Sequence, residues 1–251
     1  MRIISLSPSS TELLFAMGAG DDVVGVTQLC DYPAEAMRRE RLGSWLHTQP
    51  AALDALRPNL IVTTTYRPDE LRSYSGKGEV LHLEPSNLSS VFESALLLGR
   101  AVGRYQAAER LVQTMQEQLE EIRSHAPAQQ LLVYCEAWPD PPMQAGNWVP
   151  EIIAIAGGQP VGGLHARPSE PVAVDALQAA DPDIMVFHWC DPKVPPDAER
   201  IRNRPGWFAL RALQANACAF LPNNLLNRPG PRLVEGARHL QAEFQAHQQD
   251  R

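Results

Sequence analysis

Trp45, Tyr66, Glu136, Trp138, Trp148, His188 and Trp189 are the residues whose types and surroundings point to chemistry. Tyr66, Cys135-Glu136, Trp138 and His188-Trp189-Cys190 each follow directly on an apolar run that reads as a strand. Trp148 opens a helix after Gly146-Asn147, and Trp45 lies in the loop Gly43-Ser44-Trp45-Leu46-His47. The carboxyl ends of strands are where α/β sheets bind ligands. A tryptophan is by default a largely buried core residue. Tryptophans placed in loops or at element starts, outside any periodic apolar face, instead favour stacking on a flat or bulky apolar ligand.

Metal and catalytic chemistry are less well served. Cys30, Cys135, His188 and Cys190 stand at the ends of predicted strands, but their spacing matches no zinc template. A histidine or cysteine acting as axial ligand to a metal inside a larger bound group stays open. The chain has no GxSxG elbow, P-loop, HExxH, or GxGxxG following a strand. Ser7-Pro8-Ser9-Ser10 opens a helix and reads as capping before anion binding. Glu136 with Asp140, or Glu136 with His188 across a cleft, is the enzymatic alternative. Cys30, Cys135, Cys190 and Cys218 form no CxxC pair, so free thiols are expected.

These residues need a scaffold, and the pattern supplies one. Short β-rich runs alternate with helical patterns, which predicts α/β architecture with parallel sheets. Arg2–Leu6 is a first strand, and a helix follows it, capped by Ser9 with Glu12 and stopped between Gly18 and Gly20. Further strands are expected at Val23–Val26, Asn59–Thr63, Val80–Leu83, Leu131–Cys135, Ile184–Phe187 and Ala217–Leu221, with a proline-rich loop over Pro139–Pro142. Tyr105 to His125 holds no Gly or Pro, and Leu111, Met115, Leu119 and Ile122 draw one apolar stripe down a continuous helix. The expected architecture is two Rossmann-like α/β lobes, 1–102 and 127–251, joined by one long helix over 103–126, with a ligand cleft between them.

Composition removes several classes. At 44% apolar residues the chain can fill a core in each of two ordinary domains. A formal charge of −7 with no basic stripe argues against nucleic acid as a partner. No run approaches the roughly 18 apolar residues of a membrane span. Met1-Arg2 leads straight into strand residues where a secretory signal would show an apolar stretch first. A native Met1 implies the cytoplasm; a trimmed mature start implies export.

Several segments resemble the class III periplasmic binding proteins, which serve ABC importers of cobalamin, haem and siderophores. The opening Arg2-Ile3-Ile4-Ser5-Leu6-Ser7-Pro8-Ser9-Ser10-Thr11-Glu12 carries the likeness, with Gly25-Val26-Thr27 and Asp31-Tyr32-Pro33 after it. Leu53–Leu56 with Arg57-Pro58-Asn59-Leu60-Ile61-Val62 resembles the family's L-x-P-D-L-I segment, echoed by Ala180-Asp181-Pro182-Asp183-Ile184. Pro205-Gly206-Trp207 and Pro229-Gly230-Pro231-Arg232 also fit. The likeness spans nearly the whole chain and is nearest to cobalamin-binding members.

The resemblance implies a monomeric, non-catalytic protein that needs no cofactor and binds cobalamin or a related metal chelate against aromatic side chains. Tyr66 matches a ligand-facing aromatic, whereas Leu29, Met143 and Leu225 stand where the cobalamin binders have aromatics. Trp45, Trp138, Trp148 and Trp189, with His188 and Glu136, would rebuild the wall. An ABC permease is the implied partner, met through one surface acid on each lobe. Glu70 (or neighbouring Asp69) matches the first acid, but Asn227 stands at the second position. Periplasmic or extracellular placement follows from the family, and haem or a ferric chelate is the alternative ligand.

Overall fold

The computed structural model describes residues 1–44, 47–72, 74–163, 165–190 and 195–249. The chain divides into two compact units, Met1–Pro85 with Ser89–Met115, and Ser86–Leu88 with Gln116–Arg251. The first unit holds β1 (Ile3–Ser5), α1 (Pro8–Ala16), β2 (Val23–Val26), β3 (Glu40–Arg41), α2 (Pro50–Ala55), β4 (Leu60–Thr64), β5 (Glu79–Leu83) and most of α3 (Leu88–Ala101). Its sheet runs β3-β2-β1-β4-β5 with every pairing parallel.

A parallel sheet covered on both faces needs strands apolar on both sides, and β1 and β4 are buried throughout. Ile3, Val23, Leu60, Val62 and Leu83 pack on one face against Leu13, Leu14 and Met17 of α1 and Leu98 of α3. Ile4 and Ile61 point the other way, onto Leu53 of α2, Leu42 and Leu71. Burying one such side chain contributes about 1.5–3 kcal/mol.

The uninterrupted helix expected in mid-chain is α4 (Tyr105–Ser124). Its buried stripe is Ala108, Val112, Met115, Leu119 and Ile122, spaced four, three, four and three. Leu111 is only half-buried, so Val112 takes the place expected of it. Ala108 and Val112 join the first unit's core. The boundary between the units falls inside this helix, after Met115.

The second unit contains β6 (Leu131–Pro139), β7 (Pro142–Gln144), α5 (Val149–Ile155), β8 (Gly158–Pro160), β9 (Glu170–Pro171), α6 (Val174–Ala180), β10 (Ile184–Phe187), α7 (Ala198–Arg202), α8 (Arg211–Gln214), β11 (Cys218–Phe220), α9 (Asn223–Leu226) and α10 (Leu233–Gln249). Its sheet runs β11-β10-β6-β7-β9, with β8 also on β6. The expectation of parallel pairing holds for β11, β10, β6 and β8 but not beyond them. β6–β7 and β7–β9 are antiparallel. The reason lies in the proline-rich stretch, expected to be a loop. β6 runs on to Pro139 and turns through Asp140-Pro141 into β7, a two-residue hairpin that needs no crossover. Proline is tolerated there because the strand ends have no ladder donor to lose.

Tyr134, Leu177, Met185, Phe187 and Trp207 fill one side of this sheet. On the other, a Cβ at Gly158 would lie 2.9 Å from both Ile153 of α5 and Phe244 of α10, so only glycine allows that approach. Gln241 of α10 donates to the Ile122 carbonyl at 2.6 Å, Gln245 to that of His125 at 3.4 Å, and Gln248 to that of Gln129.

Candidate functional site

In the first unit the carboxyl ends of β1, β2 and β4 carry a band of hydroxyl groups. Ser7, not the expected Ser9, caps α1: its backbone is extended and its Oγ accepts from the Ser10 amide at 3.3 Å. Pro8, whose fixed φ suits the first helical position, moves the start two residues ahead of the expected cap. Thr11 Oγ1 donates to Ser5 Oγ at 2.8 Å and meets Cys30 Sγ at 3.2 Å, and Ser5 Oγ meets Ser10 Oγ at 2.9 Å. These groups satisfy one another, as capping requires.

Beyond β4, Thr65 takes a left-handed backbone at φ 66° and delivers Tyr66 to the surface, 37% exposed. Leu29, after β2, is exposed as well. Trp45 lies outside the described residues. Glu70 stands on a 3₁₀ turn, 3.6 Å from His47 Nδ1, on an open recess of about 650 Å³ shared with Leu42, Thr48 and Leu56. The Thr48 hydroxyl is buried there without a hydrogen-bond partner.

The second unit gathers Glu136, Trp138, His188 and Trp189 where β6 and β10 end. Glu136 was expected to offer its carboxylate to a ligand or to proton transfer; it is instead fully buried and held by four donors. Arg204 grips it through two nitrogens, Nη1 to Oε2 at 2.8 Å and Nη2 to Oε1 at 2.9 Å. Tyr134 Oη donates to Oε2 at 2.8 Å and Trp189 Nε1 to Oε1 at 2.7 Å. The guanidinium also lies over the Trp207 ring, 4.4 Å from its centroid. Burial pushes the Glu136 carboxyl above its ordinary pKa, while the Arg204, Tyr134 and Trp189 bonds hold that rise back. Burial, and then the Glu136 charge, drive the Tyr134 phenol well above its own. Neither group is at liberty to exchange protons with a substrate.

Two tryptophans are likewise corrected. Trp189 is 1% exposed, inside the unit's core, and its indole N–H is spent on Glu136. Trp148 is buried and donates to the Leu226 carbonyl at 2.8 Å. Buried indoles need such partners, which draws both rings inward. His188 is also wholly buried, with neither ring nitrogen bonded. Burial lowers its pKa to about 4. Its carbonyl accepts from Asn227 Nδ2 at 2.6 Å, so the residue at the second docking position is turned to internal work. Leu225 is buried too.

Trp138 differs. It is 37% exposed, sits opposite Met143 across the β6–β7 hairpin, and is steadied by its Nε1 bond to the Asp140 carbonyl at 2.9 Å. With Tyr66 it is the aromatic surface left to a ligand among the described members of the expected set.

Arg204 escaped the sequence reading. Its signal was available, because a glutamate inside a strand-end apolar run demands a cation, and Arg204 directly precedes Pro205-Gly206-Trp207. No disulfide links the four cysteines: Cys30 and Cys135 are buried, Cys218 half-buried and Cys190 exposed. Among the described residues no three His, Cys, Asp or Glu side chains converge as a metal site.

Two α/β units with ligand-type residues at strand carboxyl ends define a two-lobed binding protein. A family model, periplasmic binding protein, matches residues 3–225. The chain belongs to this family, the substrate-binding proteins of ABC importers. The ABC-transporter substrate-binding lipoprotein YvrC of Bacillus subtilis is 27% identical over 95% of this chain and 78% of its own length. The vitamin B12-binding protein of Vibrio cholerae is 23% identical over 95% of this chain and 87% of its own. In fold, the periplasmic haem-binding protein RhuT of Roseiflexus matches 98% of each chain with a TM-score of 0.84 at 23% identity.

Proposed function

We propose that this protein captures a corrinoid on the outer side of the cytoplasmic membrane and delivers it to an ABC permease. The observation that carries the reading is the pair of half-exposed aromatics, Tyr66 after β4 and Trp138 on the β6 hairpin, each at a sheet's carboxyl edge. A corrin ring presents a broad apolar face, and aromatic burial is the means by which such a face is held. Similarity to vitamin B12-binding proteins over nearly the whole chain supports the same ligand. Glu70, half-buried on the rim of its recess, is the acid offered to a permease arginine. No catalytic step is assigned, since Glu136 is locked in an ion pair.

A haem or ferric chelate is the second reading, favoured by the likeness in fold to the periplasmic haem-binding protein RhuT. Titration of the purified protein with cyanocobalamin and, separately, with haemin separates the two by visible absorption. Saturable cyanocobalamin binding that weakens about tenfold in Tyr66→Ala and Trp138→Ala supports the corrinoid reading, a tenfold change being about 1.4 kcal/mol. Saturable haemin binding with no response to cyanocobalamin replaces it.

A further inference from the structure

The guanidinium of Arg204 does more than neutralise Glu136. The same Nη2 that bonds Glu136 Oε1 also donates to the Pro139 carbonyl at 3.0 Å. One side chain, 68 residues downstream, therefore holds β6 at positions 136 and 139, on both sides of Trp138. It does so where the β6–β7 ladder is irregular. The register between β6 and β7 shifts between Glu136 and Trp138, so regular pairing lapses on that edge, while on the other the His188 and Cys190 amides reach the Glu136 and Ala137 carbonyls, each at 3.0 Å, and no further. The hold is itself rigid: Arg204 is 12% exposed at its side chain, shares its face between Trp207 and Trp189, and meets Glu136 two-pronged. A planar guanidinium fork fixes direction as well as distance, which an ammonium does not.

We propose that Arg204 is the positioning residue for Trp138, a clamp that sets the angle at which the hairpin presents its indole to the ligand. The inference rests on the reading of Trp138 as a ligand contact. Glu136 is the clamp's anchor, buried so that the fork cannot swing to solvent. Removing the fork while keeping a cation frees the Pro139 carbonyl and leaves the strand beyond Ala137 to the irregular β6–β7 pairing.

The test compares native protein with Arg204→Lys, and with the double variant Glu136→Leu/Arg204→Met, which removes both charges together and guards against a misfolded single variant. Amide hydrogen exchange at Ala137, Trp138 and Asp140, the residues of the tip that carry an N–H, reads the hairpin directly and needs no ligand. Both variants should exchange there at least about tenfold faster while circular dichroism and exchange in β10 stay native; unchanged exchange at the tip overturns the proposal. Cyanocobalamin affinity supplies the second readout through a cycle with Trp138→Ala. Arg204→Lys should weaken binding about tenfold, and combining it with Trp138→Ala should add nothing further, because residues acting through one contact are not additive. Full additivity overturns the proposal, since Arg204 then acts elsewhere. A native-like affinity in Trp138→Ala alone, with the tip still loosened by Arg204→Lys, refutes the ligand role of Trp138 and leaves the clamp standing.

Discussion

His188 makes the protein's stability depend on acidity in a calculable way. Its ring is fully buried, neither nitrogen finds a partner, and burial lowers its pKa from 6.5 to about 4. The unfolded chain therefore takes up a proton on this imidazole near pH 6.5, while the folded chain resists until about pH 4. Stability from this group is complete above the unfolded value and is lost as pH falls through the window between the two. Between pH 7 and pH 4.5 the loss is about 2.5 kcal/mol, since one proton held by the unfolded chain alone costs about 1.36 kcal/mol for each unit of pH. His188→Leu, close in volume and without titrating atoms, should remove that slope. It should also be at least as stable at pH 7, since no unpaired buried nitrogen remains. Urea unfolding of both proteins at the two pH values measures the difference of differences, in which every other titrating group, Glu136 included, cancels. Equal losses in the two proteins would refute the reasoning, because they would mean that the native imidazole is charged or bonded.

Breaking the buried pair singly, by Arg204→Met or Glu136→Leu, should cost about 3–5 kcal/mol in urea unfolding, whereas the double change restores most of it. Ser7→Ala should lose about 1 kcal/mol of stability with its helix cap, and Ser9→Ala clearly less, which distinguishes the cap found from the one expected. Thr48→Val should leave the melting temperature unchanged or raised, since the hydroxyl it removes is buried and unbonded.

Much of this architecture was legible because periodicity reports which faces are apolar. Ile3 and Ile4 both apolar announced a strand covered on two sides, and the stripe along α4 announced a helix without interruption. Tyr66 was legible as a strand-end aromatic for the same reason. What periodicity omits is the identity of the group across the gap. Glu136 read as an available acid because its cation lies 68 residues away in sequence. Trp148 and Trp189 read as ligand walls because nothing local shows that the Leu226 carbonyl and the Glu136 carboxylate wait for their N–H groups. The hairpin was missed because prolines speak for a loop locally, while the pairing of Trp138 with Met143 is decided by the fold.

The glutamines of α10 carry a consequence for how the chain comes to be folded. The Ile122 carbonyl that Gln241 meets belongs to the last turn of α4, where the helix ladder has run out and the carbonyl's backbone donor is the His125 amide at 3.2 Å. The finishing bonds thus come from 119 residues further along. On the ribosome, at about 5–20 residues per second, that interval is roughly 6–24 s. Throughout it the end of α4 has its own tightened last turn and water, and nothing from α10. The long helix is written early and signed late, and the hand that signs is amide, indifferent to acidity and salt.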